Sequence, residues 1–205
     1  MCNWISRLRQ AALDAVAPSR CAACGDSGHV LCEACVEALE ATSPPLVVGV
    51  RAAFAYDTEV RGILHHGKFR DCRSALHALA WVGAARLTPP ANALVVPVPL
   101  ARRRLAERGY NQAEVVAAAF ADFHHLPLAL LLARTRDTPP QSTLDGPARQ
   151  ASVAGAFAAV QTAAGANVWL VDDVVTTGAT SRAARAALFD AGARDVEIAA
   201  LAAVL

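Results

Sequence analysis

The run Val168-Trp169-Leu170-Val171-Asp172-Asp173-Val174-Val175-Thr176-Thr177-Gly178-Ala179-Thr180 constrains this chain more than any other segment. Residues 168–171 are apolar and read as a buried strand, Asp172 and Asp173 stand at its carboxyl end, and a threonine-glycine turn opens the helix expected over 181–191. A helix N-terminus carries unpaired N–H groups and partial positive charge, so it attracts an anion. Gly178 lets the backbone approach that anion with no side chain in the way. The hydroxyls of Thr176, Thr177 and Thr180 add donors, and together they suit a phosphate monoester. Carboxylates just before the turn accept hydrogen bonds from vicinal hydroxyls, and a phosphate beside such hydroxyls describes a ribose 5-phosphate. The competing readings are that the acidic pair caps a loop or marks a magnesium site of the nucleotide-hydrolase kind. The chain has neither a Gly-x-x-x-x-Gly-Lys-Ser/Thr loop nor a Gly-x-Gly-x-x-Gly fingerprint, so both rival phosphate folds lack their main motif.

The remaining pattern places this segment in an α/β core. Short apolar runs at 93–98, 128–132, 153–157, 168–171 and 196–201 alternate with helical stretches at 112–123 and 181–191, which predicts a parallel sheet covered by helices. In such sheets ligands bind beyond the carboxyl ends of the strands. The breaker Thr42-Ser43-Pro44-Pro45 divides the chain into residues 1–43 and 44–205. Beyond it, 46–56 read as a strand, and helical periodicity runs through 60–64 and 74–87. Residues 1–17 read as an amphipathic helix, with Trp4, Ile5, Leu8, Leu13 and Val16 near one stripe.

Cys21-x-x-Cys24 and Cys32-x-x-Cys35 place four thiols within fifteen residues, the ligand set of one structural zinc ion. The segment is too small to fold by burial alone, so metal binding would supply its stability. A disulfide pair is the competing reading and needs an oxidising compartment. Arg7, Arg9, Gln10 and Asp14 interrupt the apolar run that a secretory leader requires, so the chain is expected in the cytoplasm with its thiols reduced. No run approaches the ~20 apolar residues of a membrane span, and no membrane insertion is expected. A net charge of +1 gives no global attraction to polyanions, which leaves local clusters such as Arg102, Arg103, Arg104 and Arg108. Guanidinium forks suit phosphate, although a solvated basic turn is the plain alternative.

The strand, acidic pair and threonine-glycine turn resemble the phosphoribosyl pyrophosphate (PRPP) motif of type I phosphoribosyltransferases. Val95-Val96-Pro97-Val98-Pro99-Leu100, Arg108-Gly109-Tyr110-Asn111-Gln112, Gln141-Ser142 and residues 149–157 narrow the resemblance to the ComF family of competence-related proteins. With the N-terminal cysteines it covers nearly the whole chain. Ser152 stands where an Arg-x-x-Asn-Val pattern would place Asn. The resemblance implies a phosphoribosyltransferase type I core, a parallel sheet flanked by helices, carrying a small N-terminal zinc ribbon. It also implies that Asp172, Asp173 and Lys68 are catalytic and that Val174, Thr176, Thr177, Gly178, Ala179 and Thr180 hold the 5-phosphate. The loop 99–109, through Pro99, Arg104 and Arg108, would then grip pyrophosphate. Tyr56 and Lys68 would face the cleft, and residues 132–144, with Arg136, would form a hood over the ligand.

Two functional expectations follow from that resemblance. In one, the protein is an enzyme that uses Mg2+ and PRPP to transfer phosphoribosyl to an acceptor the sequence does not identify. In the other, the same site is non-catalytic and senses PRPP or a nucleotide, while the cysteine module docks a partner. The competence association suggests a DNA-uptake helicase or single-stranded DNA as that partner. Aromatic residues make up 5% of the chain and do not interleave with Arg102–Arg108 in sequence, which speaks against a stacking platform there.

Overall fold

Apolar residues fill both faces of the central strands, an arrangement that is stable only when helices cover the sheet on both sides. The computed structural model describes residues 19–65, 72–135 and 155–204. In chain order these form α1 (Glu33–Glu40), β1 (Leu46–Val47), β2 (Val50–Ala55), α2 (Thr58–His65), α3 (Cys72–Ala85), β3 (Ala93–Pro97) and α4 (Arg102–Arg108). They continue with α5 (Gln112–His124), β4 (Leu132–Arg134), β5 (Phe157–Ala159), β6 (Asn167–Val175), α6 (Ala179–Asp190) and β7 (Asp195–Ala203). The main sheet has the order β1-β2-β7-β6-β3. Its strands β2, β7, β6 and β3 run parallel, and the short β1 pairs antiparallel at the edge.

Alternation along β6 sets the two layers. Trp169 and Val171 face the layer that includes Leu79 of α3 and Phe120 of α5, while Val168 and Leu170 face Ala184 and Leu188 of α6. Trp169 is fully buried, with its ring tilted against Phe120 at a centroid distance of 5.2 Å. β7 contributes Ala199, Ala200, Ala202 and Ala203, which are fully buried and small enough for helices to approach closely. At Gly83 in α3 an added Cβ would lie 2.8 Å from Leu201 Cδ1 and 3.1 Å from Ala53 Cβ, so the helix rests almost directly on the sheet.

The expected architecture, a mostly parallel sheet flanked by helices, is the one the chain adopts. Four local readings need correction. The apolar run at 128–132, and the described part of the run at 153–157, add no strand to the parallel sheet: β4 and β5 pair antiparallel as a separate ribbon, and Leu128 makes an isolated parallel bridge to Val95. The 46–56 strand is two strands that fold back on each other. The segment 99–109 is not wholly loop, because Arg102–Arg108 is helical, held by the Arg103–Glu107 ion pair at 2.9 Å and ended by Gly109 at φ 75°. Strand β6 does not stop before the acidic pair but runs through it to Val175, since Val174 and Val175 keep their register with Ala202 and Ala203 of β7. The helix expected over residues 1–17 lies outside the described residues. Among the described residues no helix is long and apolar enough to cross a membrane.

Candidate functional site

The carboxyl ends of β3 and β6 open into a cleft of about 130 Å³. One wall is the segment from Asp172 to Ser181, and facing it are Val98, Pro99, Leu100, Arg104, Asn111, Gln112 and Arg134. Gly178 is the N-cap of α6 in the left-handed region, φ 70° and ψ 6°, and no side chain caps the helix there. The first amides of α6 are therefore offered at the cleft, where an anion would complete them. An added Cβ at Gly178 would meet only the movable end of Arg182, at 2.9 Å, so it is the left-handed backbone, φ 70°, that disfavours a side chain there. Thr176 and Thr177 are exposed and Thr180 is half-buried, which leaves their hydroxyls within reach of a ligand.

Asp172 differs from its neighbour. It is 8% exposed, its Oδ2 accepts the Ser181 hydroxyl at 2.9 Å, and its Oδ1 accepts the Asp173 amide at 3.0 Å. Burial, then the neighbouring Asp173 charge, pushes the Asp172 carboxyl up to about 8, against the opposing pull of the Ser181 hydrogen bond. Asp172 thus ties the start of α6 to β6, while half-buried Asp173 is the more accessible carboxyl of the pair. Ser181 was not singled out in the sequence. Its signal was a hydroxyl residue in the first turn of a helix that begins right after an acidic strand end.

On the facing wall, Asn111 caps α5. Its side chain accepts from Ala113 N at 3.2 Å and donates to Val98 O at 3.1 Å and Glu114 Oε1 at 3.2 Å, fixing the chain after β3 against the helix. Of the arginines expected here, Arg104 lines the cleft. Arg108 is not among the lining residues; it is exposed and donates to Gln112 Oε1 at 2.5 Å. Arg134, at the end of β4, reaches the cleft and packs over the Phe157 ring at 5.4 Å. In the sequence it stood out only as one position of the expected hood over 132–144. Pro99, Val174 and Ala179 line the cleft; Tyr56 does not, and its amide donates to Ala203 O at 2.7 Å beyond the end of β2. Lys68 and Arg136 lie outside the described residues.

A second cluster stands apart from the cleft. The sulfurs of Cys21, Cys24, Cys32 and Cys35 all lie within 4.8 Å of one another. A tetrahedral ion with metal–sulfur bonds near ~2.3 Å sets its ligands about 3.8 Å apart, so the four thiols can hold one metal ion. Gly25, at φ 81°, turns the first knuckle by donating its amide to Cys21 O at 2.8 Å, and Cys32 is the N-cap of α1. Burial raises the Cys21 thiol, but amide donors from Cys24, Cys32 and Ala23 outweigh it and hold the group down at about 6. Amides pointing at a sulfur favour the thiolate, the form a metal binds.

No protein-family model matches the chain. It is 29% identical over 178 residues to competence protein ComFC of Bacillus subtilis, covering 84% of this chain and 72% of that protein. It is 32% identical over 105 residues to DNA utilization protein YhgH of Escherichia coli K12, covering 51% of this chain and 46% of the relative, so that match spans about half of YhgH. Among solved structures, the glutamine PRPP amidotransferase of Bacillus subtilis aligns with a TM-score of 0.45 and 24% identity over 63% of this chain and 27% of that one. The chain is a ComFC homologue, which bears out the ComF-type resemblance read from its motifs.

Because Asp172 keeps its proton in the fold up to about pH 8 but ionises near 3.8 when unfolded, its contribution to stability is present below pH 4 and is lost as pH rises toward 8. Asp172→Asn removes the charge and keeps one acceptor oxygen, with an amide NH2 donor in place of the other. Relative to the parent, the variant should gain stability in urea unfolding as pH rises from 4 toward 8, by about 1.4 kcal/mol for each pH unit of that window. An equal gap at both pH values would contradict a protonated Asp172.

Proposed function

We propose that this ComFC homologue binds PRPP in the cleft at the end of β6 and transfers its phosphoribosyl group to an acceptor, in the DNA-uptake or DNA-utilization setting that the names of its relatives indicate. The observation that carries the reading is the uncapped start of α6 at Gly178, opening beside an acidic pair and facing Arg104 and Arg134. That is a phosphate site next to hydroxyl acceptors, with cations opposite.

In this reading the amides and hydroxyls of Thr176 to Thr180 take the 5-phosphate. Asp173, with Asp172 behind it, holds the ribose hydroxyls. As the C1′–oxygen bond to pyrophosphate breaks, its electron pair leaves with the diphosphate and positive charge gathers on the ring, where the accessible Asp173 carboxyl stabilises it. Arg104 and Arg134 are placed to neutralise the departing diphosphate, and guanidinium groups stay charged while doing so. The acceptor then bonds to C1′. Asp173, the half-buried carboxyl of the pair, would be the group to hold a Mg2+ brought by the diphosphate, and the ion would screen phosphate charge. Lys68, Arg136, Tyr56 and Arg108 belong to the reading as residues brought by the family resemblance. In the cysteine cluster, Cys21, Cys24, Cys32 and Cys35 would hold a structural Zn2+.

Calorimetric titration with PRPP and Mg2+ should show saturable binding to the native chain. The double change Asp172→Asn, Asp173→Asn should weaken it about 30-fold, the worth of the one charge-assisted contact that Asp173 supplies. No binding to the native chain would end the proposal. Pyrophosphate release across a panel of nucleobases and amines then separates a transferase from a protein that only binds the ligand.

Purified protein should carry about one zinc per chain, and Cys24→Ser with Cys35→Ser should abolish it and lower the melting temperature. Metal-free native protein of unchanged stability would contradict a structural zinc site.

A further inference from the structure

Arg86 follows the last residue of α3 and reaches across 44 to 47 residues of sequence to the end of α1. Its Nη1 donates to Leu39 O at 2.7 Å and Glu40 O at 3.1 Å, and its Nη2 donates to Thr42 O. These are carbonyls at the C-terminus of a helix, where the last turn leaves acceptors without intrahelical partners and the helix dipole favours a cation. The guanidinium also lies over the Phe54 ring, 5.0 Å from its centroid, and its Nε is buried without a hydrogen-bond partner. A buried N–H left unpaired costs free energy, so the position is held by the carbonyls and the ring together.

The two ends of α1 do different jobs. Cys32 caps its start and Cys35 sits in its first turn, while Leu39, 3% exposed near its end, joins the same apolar cluster as Phe54. One short helix therefore carries two of the four thiols and is anchored to the sheet layer through Arg86. The helix that bears the clamp continues to the other side of the molecule. Near its start, Arg73 Nη2 donates to Gly109 O at 3.2 Å and the guanidinium lies 4.6 Å from the Tyr110 ring centroid, at the turn that leads into the cleft residue Asn111.

We infer that Arg86 joins the four-cysteine segment to the α/β core as one cooperative unit, with α3 as the strut between that segment and the Gly109–Asn111 turn of the cleft. This inference rests on the metal site proposed above but on neither the ligand nor the reaction, so a failed PRPP titration leaves it standing and metal-free native protein ends it. Three donors meeting three helix-end carbonyls cannot be replaced by a single ammonium, and an apolar side chain of similar reach retains only the packing on Phe54.

The test follows urea unfolding of the metal-loaded full chain by two probes. Tryptophan fluorescence reports the core through buried Trp169, and a chromogenic chelator reports metal release. In the native chain the two transitions should coincide. In Arg86→Leu, metal release should precede the fluorescence change by about 1 M urea. Arg86→Lys, which retains charge and one donor set, should give a smaller separation of the same sign and covers the case in which the leucine variant fails to fold. Separate transitions in the native chain, or coincident ones in both variants, would overturn the inference.

Discussion

The hydrogen bond from the Ser181 hydroxyl to the buried Asp172 carboxyl is the contact on which the site depends. It joins the end of a central strand to the first turn of the following helix, and between those points the chain has only the turn at Thr176 to Gly178 in which to reverse. The turn is therefore held from both sides, and the residues from Asp172 to Ser181 line the cleft. Burying a carboxyl is costly, and the fold meets that cost by leaving Asp172 protonated to about pH 8 and by supplying hydrogen bonds to both of its oxygens. Asp173, one residue on, points to the opposite side of the pleat and stays accessible.

The sheet keeps that strand end in place through packing that uses small residues in the middle and large ones at the flanks. Alanines of β7 lie beside β6, and α3 presents Gly83 to Leu201 of β7 and to Ala53 and Phe54 of β2, so helix and sheet meet at van der Waals distance. Bulk comes from Trp169, Phe54 and Phe120, all fully buried. The opposite wall of the cleft is held by a separate device, the Asn111 cap that ties the Val98 carbonyl to the start of α5. The two walls thus rest on different helices, and each is anchored by one buried polar side chain.

Much of this was legible in the sequence. The acidic strand end, the glycine turn and the helix after it have local signatures: a valine-rich run, paired carboxylates and a residue able to take positive φ. The four thiols were legible for the same reason, since metal-ligand spacing is a local property. The ribbon was not, because a three-residue strand such as Leu132–Arg134 looks the same in sequence whether its partner is the main sheet or Phe157–Ala159, and pairing is set by contacts far apart in sequence. The helix Arg102–Arg108 was masked by its charge: four arginines drew attention as ligands, although Leu105, Ala106 and the terminal Gly109 carry the helix signal. Arg134 and Ser181 became visible only once the ribbon and the first turn of α6 had positions. Arg86 could not be found from sequence at all, since its partners are backbone carbonyls more than forty residues away.

The claim that the turn between β6 and α6 grips a sugar phosphate is tested most directly by following backbone amide resonances while ribose 5-phosphate is added to nitrogen-15-labelled protein. The account predicts that the largest saturable shifts fall on the amides of residues 177–181, with smaller ones at Asp173. Shifts that leave that turn untouched, or that fall only on the exposed arginines of Arg102–Arg108, would contradict it.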